Sequence, residues 1–257
     1  MSSLFALPEQ LSPLRGYAWA EVTIGKSGAS VWRIQGDGET LFLKSAPTHP
    51  LSEMPGEAKR LDWLATRPIQ APALRTFFEA DGRYWLLMTA LPGRDLTHFT
   101  DRPAALITAL ATNLRHLHAL DIATCPFDQS LAVKLDTGAA YAAAGLVDET
   151  DFDTAHIGWT SAAVLDLLRA TRPAMEDLVV CHGDASLPNF IAGEDGFSGI
   201  IDCERLGVAD RWQDLAIACR SIVANLGREH VAPFLAAYGA DWDEERSRYY
   251  NALDELF

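Results

Sequence analysis

The hydrophobic pattern of this 257-residue chain changes character once, at the quartet Pro92-Gly93-Arg94-Asp95. Before it, apolar residues come in short runs separated by turn signals. "AWAEVTIG" and "SVWRIQG" flank the small-residue turn "KSGAS", and "ETLFLKSA" follows a Gly-Asp-Gly turn. "ALRTFFEADGRYWLLMTAL" reads as a hairpin turning at Asp81-Gly82. One helix interrupts the strands: "SEMPGEAKRLDWLATR" starts on a serine and spaces Leu61 and Leu64 helically, which predicts a helix over 53–66. After the quartet, "RPAALITALATNLRHLHAL" repeats apolar residues at intervals of three and four with alanines between, the pattern of a buried helix. Further helical patterns fall near 130–144, 161–170, 210–226, 228–238 and 243–255, broken by the strand-like pieces "DLVVCH", "NFIAG" and "FSGIID". The expectation is an α+β, two-lobed chain. Residues 1–91 form a small antiparallel sheet carrying one helix, a hinge lies at 89–95, and residues 92–257 form a larger, mainly helical lobe. Two lobes imply a cleft, and clefts between lobes are where small molecules usually bind.

Charge narrows the choice of partner. Thirty-five acidic residues against 21 basic ones give a formal net charge of −14. Such a field repels nucleic acid and anionic lipid and attracts cations. It either keeps the chain soluble or serves a polycationic substrate. The first residues lack the basic segment and continuous apolar run of a signal peptide, and no apolar stretch approaches the roughly 18 residues of a membrane span. The expectation is a cytoplasmic protein, monomeric by default. Cys125, Cys181, Cys203 and Cys219 are scattered without CxxC or His/Cys ligand spacing. They read as reduced, mostly buried thiols, and a zinc site is not expected.

The chemistry-bearing residues cluster late in the chain. "HGDASLPNF" places Asn189 five positions after Asp184, and "FSGIID" places Asp202 thirteen positions after Asn189. A hairpin fits the second gap, with "EDG" as its turn, and would return Asp202 beside the loop that holds Asp184 and Asn189. Few, hard oxygen ligands of this kind suit Mg²⁺ that shares its remaining positions with phosphate and water. This is the kinase pattern: a loop Asp orients the attacking hydroxyl, an Asn five residues on holds Mg²⁺, and a later Asp bridges Mg²⁺ to the phosphates. The pattern also demands a lysine on the third strand, and Lys44 in "LFLKSA" supplies it. Its helix partner is expected to be Glu57, with Glu53 as a competitor that only geometry decides. "IGKSGAS" would cover the phosphates, although it is not GxGxxG. His182 is expected to order the loop by hydrogen bonding.

The segments "HGDASLPNF", "IIDCERLGVADRWQDLAIACR" and the terminal "LDELF" resemble the aminoglycoside 3′-phosphotransferases, kinase-like enzymes that inactivate kanamycin- and neomycin-type antibiotics. "TIGKSGASVWR", "GEAKRLDWLA", "LHALDIATCPFD" and "AAGLVDETDFD" are similar to the same family, so the resemblance covers essentially the whole chain. It implies a protein-kinase-like fold, ATP and Mg²⁺ as cofactors, and transfer of the γ-phosphate to a sugar 3′-hydroxyl facing Asp184. Asn189 and Asp202 would ligate the metal, and Lys44 would contact the α- and β-phosphates. Ser27 lies in the matching phosphate loop, Phe42 would stack on adenine, and Thr89 to Leu91 match the adenine-binding hinge. For a substrate rich in ammonium groups, the implied lining is Asp151, Asp153, Arg220, Asp254, Glu255 and the terminal carboxylate of Phe257.

Four positions depart from the family pattern. Glu204 stands where glycine is usual, Thr154 where another acid is usual, and Ser221 and Ala224 replace acids beside Arg220. They bear on the range of drugs rather than the reaction. The rival within the fold is a kinase for a small metabolite alcohol such as choline, a sugar or homoserine, which has no need of an acidic C-terminal tail. A nucleotide-binding pseudokinase usually loses the lysine, the catalytic Asp or a metal Asp, and Lys44, Asp184 and Asp202 are all present. A metal-dependent hydrolase on His182, Asp184 and Asp202 lacks a second nearby histidine.

Overall fold

A computed structural model of the chain describes residues 7–22, 29–193 and 196–257. The chain divides into two compact units, Met1–Pro92 and Gly93–Phe257. In the first, strands β1 (Ala18–Val22), β2 (Ser30–Gly36), β3 (Glu39–Pro47), β4 (Leu74–Ala80) and β5 (Arg83–Thr89) form an antiparallel sheet in the order β1-β2-β3-β5-β4. Side chains alternate across a strand, so Trp32 and Ile34 of β2 and Leu41 and Leu43 of β3 bury one common face. Leu11 and Leu14 close that face from a 3₁₀ segment, Glu9–Gly16, that the sequence pattern does not signal. The β2–β3 and β4–β5 hairpins each turn on two residues of positive φ, Asp37-Gly38 and Asp81-Gly82, the twist that tight antiparallel hairpins prefer.

Helix α1 (Met54–Leu64) is a little shorter than the 53–66 expected and begins with Pro55 in its first turn. It buries Met54, Ala58, Leu61 and Leu64 at helical spacing, and also Glu57.

The second unit is helical around two small sheets. Its helices are α2 (Pro103–His118), α3 (Leu131–Ala144), α4 (Ser161–Ala170), α5 (Trp212–Asn225), α6 (Val231–Tyr238) and α7 (Glu244–Asp254). Helix α2 buries Leu106, Ile107, Leu110, Ala111, Leu114 and Leu117, the stripe its periodicity foretells. Helix α3 stops at Gly145 in the left-handed region, where the Leu146 amide reaches back to the Tyr141 carbonyl. Strands β6 (Arg94–Asp95), β8 (Phe190–Gly193) and β9 (Gly196–Ile200) form one sheet, and β7 (Leu178–Cys181) pairs with β10 (Gly207–Asp210) in the other. The β8–β9 hairpin is the one expected, and its first two turn residues lie outside the described residues.

Two expectations need correction. The helical pattern expected from 210 begins at Trp212, because Gly207–Asp210 is a strand that satisfies the ladder groups of β7. Arg94 and Asp95, expected in a hinge, pair with Ala192 and Ile191. All four cysteines are free and buried. No helix among the described residues is long and apolar enough to cross a membrane.

Candidate active site

The loop between β7 and β8 carries His182, Asp184 and Asn189, and one buried carboxylate holds its backbone. Asp214, in the first turn of α5, accepts the His182 amide at 2.7 Å and the Gly183 amide at 2.8 Å. Behind it, His118 Nε2 lies 2.9 Å from Asp214 Oδ2, and His118 Nδ1 lies 2.6 Å from the Tyr238 hydroxyl. The Tyr238 oxygen in turn accepts from Arg211 Nη1 at 3.0 Å. A carboxylate only accepts, so the consistent assignment has His118 Nε2–H donating to Asp214 and the Tyr238 hydroxyl donating to His118 Nδ1. Donors therefore run inward from Arg211 to Asp214, where the two loop amides donate from the other side. Burial alone would raise the Asp214 carboxyl, but its hydrogen bond from His118, the nearby imidazoles and the His182 amide hold it below the usual range.

Gly183 has φ 89°, and a Cβ there would stand 2.3 Å from the Arg205 carbonyl oxygen. Only glycine lets the loop pass that close. His182 is fully buried; its Nε2 meets the Ile201 carbonyl at 2.9 Å and its Nδ1 accepts the Asp184 amide at 3.3 Å. The Ile201 amide donates to the Asn189 carbonyl at 2.9 Å. These ties bring the end of β9 against the loop, so Asp202 joins Asp184 and Asn189 as the hairpin argument requires. The Asn189 side-chain amide donates to Asp184 Oδ2 at 2.8 Å. Asp202 itself is left-handed, at φ 59° and ψ 52°, a conformation that costs a non-glycine residue about 1–2 kcal/mol and collects at functional sites.

Asp184 keeps some exposed surface, yet its carboxyl is largely desolvated. Burial raises its pKa, the charges of Asp254 and Asp202 add to that, and Arg205 and His182 oppose it. A carboxylate with a raised pKa is a better proton acceptor than a free one. Asn189 and Asp202 supply an amide and a carboxylate oxygen, the hard donors that Mg²⁺ takes in small number beside phosphate. The donor set fits the metal.

In the first unit, Lys44 Nζ lies 2.8 and 2.9 Å from the two Glu57 oxygens, and the Glu57 side chain is only 1% exposed. These distances assign the pairing to Glu57; Glu53 stands at the N-cap position of α1, where its carbonyl accepts the Glu57 amide at 2.9 Å. Phe42 sits two residues before Lys44 on β3 and so shares its face. Thr89 ends β5, and its hydroxyl accepts the Ala73 amide at 2.9 Å; Leu91 follows, half-buried. Ser27 lies outside the described residues.

The C-terminal positions form a second cluster in the helical unit. Arg220 pairs with Asp254, and Arg205 stands 3.7 Å from the same carboxylate. Glu255 accepts the Asp153 amide at 3.0 Å, and His156 Nδ1 lies 3.2 Å from Asp153 and 3.3 Å from Glu255. Burial raises the Glu255 carboxyl, against the pull of the Asp153 amide and His156. Phe257 is held by its ring: Lys134 Nζ lies 3.3 Å above the centroid and Tyr141 packs edge-on at 5.5 Å. Asp151 is exposed, in a turn where its amide donates to Asp148. Ser221 does not face the cluster alone, since its hydroxyl accepts the Leu187 amide at 3.0 Å. Thr154 and Ala224 are exposed.

Sequence reasoning missed Asp214, His118, Tyr238 and His156. An acid inside the apolar run "RWQDLAIAC" was a signal for Asp214, since a carboxylate on a buried helix face must have donors. The others join through contacts between distant segments and left no local mark.

The chain is similar to known proteins over nearly its whole length. The family model described as "Phosphotransferase enzyme family" matches residues 19–249. An aminoglycoside 3′-phosphotransferase of Streptomyces ribosidificus is 38% identical, over 94% of this chain and 96% of its own. The crystal structure of an aminoglycoside-3′-phosphotransferase of type VIII superposes with a TM-score of 0.88 at 38% identity, covering 96% of each chain. An aminoglycoside phosphotransferase of Streptomyces rimosus, solved with ADP and streptomycin, superposes with a TM-score of 0.79 at 27% identity, covering 93% of this chain and 92% of its own.

Proposed function

The chain belongs to the phosphotransferase enzyme family, among the aminoglycoside 3′-phosphotransferases, and we propose that it moves the γ-phosphoryl group of ATP onto the 3′-hydroxyl of kanamycin- and neomycin-type drugs. The observation that carries the reading is the loop of Asp184, Asn189 and Asp202, with its backbone fixed by Asp214. Asp184 orients the sugar hydroxyl and takes its proton as the new oxygen–phosphorus bond forms and the β–γ bridge breaks. Asn189 and Asp202 hold Mg²⁺, which neutralises charge on the phosphate oxygens. Lys44, oriented by Glu57, contacts the α- and β-phosphates. Phe42 stacks on the adenine, the backbone at Thr89 and Leu91 reads its edge, and Ser27 belongs to the phosphate-covering loop.

The polycationic acceptor meets the second cluster. Asp151, Asp153, Glu255 and the Phe257 terminal carboxylate take its ammonium groups, and Arg220 orients Asp254 to do the same. Carboxylates in a partly desolvated setting give such contacts charge-assisted strength. We place the reaction in the cytoplasm and the enzyme as a monomer.

Magnesium-dependent ADP release with kanamycin, run beside tobramycin and an Asp184→Ala control, tests the reading. Tobramycin lacks the 3′-hydroxyl. Turnover on kanamycin that is absent with tobramycin and lost in the variant is the expected result. Turnover only on choline, a sugar or homoserine would replace the reading with a metabolite kinase.

A further inference from the structure

Three side chains of the helical unit converge without a covalent or apolar reason to do so: Asp153, His156 and Glu255. His156 Nδ1 lies 3.2 Å from Asp153 Oδ1 and 3.3 Å from Glu255 Oε1. All three ligand atoms fall within 4.8 Å of one another. The imidazole and the Glu255 carboxylate are nearly buried, at 9% and 6% side-chain exposure, whereas Asp153 keeps 32% and opens the group to solvent. Zinc bonds to imidazole nitrogen and carboxylate oxygen at about 2.0–2.2 Å in a tetrahedron, whose edges are then about 3.3–3.5 Å. The His156–Glu255 separation of 3.3 Å falls at the short end of those edges and the His156–Asp153 separation of 3.2 Å just below it.

The surroundings also suit a cation. Two carboxylates and a neutral imidazole balance the charge of one divalent ion. The Asp153 carboxylate is fixed by the Ala155 amide at 2.8 Å, and Glu255 by the Asp153 amide, so two of the ligands are oriented before an ion arrives. Trp159 packs edge-on against the His156 ring at 5.3 Å and restrains it. Asp153 and His156 are three apart, but Glu255 comes from the end of the chain, which is why ligand spacing does not reveal the set.

We propose that Asp153, His156 and Glu255 form a three-ligand site for Zn²⁺ with a fourth, solvent-facing position, and that zinc there competes with the aminoglycoside. The second half rests on the functional reading above, in which Asp153 and Glu255 receive ammonium groups. The first half stands without it. Occupied by zinc, the three-residue group is neutral and withdraws the Asp153 and Glu255 carboxylates from the drug, so zinc acts as an antagonist at the acceptor side and leaves nucleotide binding alone.

Cobalt(II) reports the site directly, because tetrahedral cobalt has an intense visible band that octahedral oxygen sites lack. One equivalent added to the full chain is expected to give that band, zinc to displace it, and His156→Ala and Glu255→Gln to abolish it. No band, or a band that survives in both folded variants, overturns the site. With kanamycin and ATP, micromolar zinc is expected to raise the KM for the drug severalfold at unchanged kcat and unchanged KM for ATP. His156→Ala is expected to show no zinc-dependent change relative to its own metal-free value. A zinc effect on the KM for ATP, or one retained in His156→Ala, overturns the antagonism. An enzyme inert toward every aminoglycoside defeats the functional reading while the cobalt band still decides the site.

Discussion

The loop around Asp184 and the cluster around Glu255 hold their acids by opposite means. In the loop the supporting contacts are buried and mostly to backbone: two amides on Asp214, His182 on the Ile201 carbonyl, and Ile201 on Asn189. In the cluster, backbone amides on Asp153 and Glu255 are joined by side-chain ion pairs, of which Arg220–Asp254 is partly exposed at 38% and 16%. Buried backbone contacts fix one geometry and leave little to adjust. Paired charges near solvent are weaker individually, are screened by salt, and tolerate exchange. On the proposed function, the first region serves a reaction that does not vary and the second a substrate that does.

The sharpest way to break the contrast is at Asp184. Asp184→Asn keeps the shape and removes the proton acceptor, so kcat is expected to fall by about 10²–10⁴-fold. The same change is expected to raise thermal stability at neutral pH. Because the folded pKa of Asp184 lies above its unfolded value, ionising it opposes folding. That penalty is absent below the unfolded pKa, sets in as pH rises, and is complete above the folded pKa. Melting temperatures of both proteins at acid and neutral pH check it: the gap should widen as pH rises from the acid range. A variant less stable than the parent at neutral pH contradicts this account of the carboxyl.

Asp214 should behave in the reverse sense. Asp214→Ala leaves His118 and two loop amides without an acceptor in a fully buried place, and breaking such an arrangement costs about 3–5 kcal/mol. Its folded pKa lies below the unfolded value, so its contribution is present above the unfolded carboxylate pKa and fades as pH falls through the folded one. Denaturant midpoints at stepped acid pH are expected to converge for parent and variant, while at neutral pH the variant falls well short. If the variant folds, kcat is expected to drop with both KM values held.

The cluster yields smaller, substrate-dependent effects. Asp254→Asn and Glu255→Gln each remove one charge-assisted contact, and a loss of about 1.4 kcal/mol corresponds to a tenfold rise in KM for the drug. The kcat with saturating kanamycin is expected to change little. Raising the salt concentration should increase the KM of the parent more than that of either variant. Equal salt slopes would show that these carboxylates do not face ammonium groups.

What was legible in the sequence divides along the same line. Asp184, Asn189 and Asp202 were readable because one hairpin joins them, and a hairpin has local turn signals at both ends of its strands. Lys44 was readable from its strand, but choosing Glu57 over Glu53 took the geometry, which gave Glu53 to the helix cap. Asp214, His118 and Tyr238 come from α5, α2 and α6, and no local pattern links three helices. Strand β10 was hidden for a related reason: "GVAD" has little strand character of its own, and pairs because β7 needs a partner. His156 left no mark in the sequence, since its carboxylate partner Glu255 lies 99 residues away.

Ser221 joins the two regions and gives the mildest test. It sits beside Arg220, whose guanidinium serves Asp254, yet its own hydroxyl accepts the Leu187 amide at 3.0 Å and so supports the short 3₁₀ turn that ends at Asn189. If it belongs with the loop, Ser221→Ala costs about 0.5–1.5 kcal/mol of stability, the worth of one neutral hydrogen bond. It then lowers kcat by no more than about threefold, with the KM for kanamycin unchanged, because the turn keeps its own bond from the Asn189 amide to the Ser186 carbonyl. If it belongs with the drug cluster, the same variant instead shifts KM and leaves the melting temperature alone. Ser221→Asp separates the two further: a new carboxylate accepts the Leu187 amide as well as a hydroxyl does, while adding charge beside Arg220. A lower KM for polycationic drugs with stability preserved would show one residue serving the rigid loop through its backbone contact and the adaptable cluster through its charge.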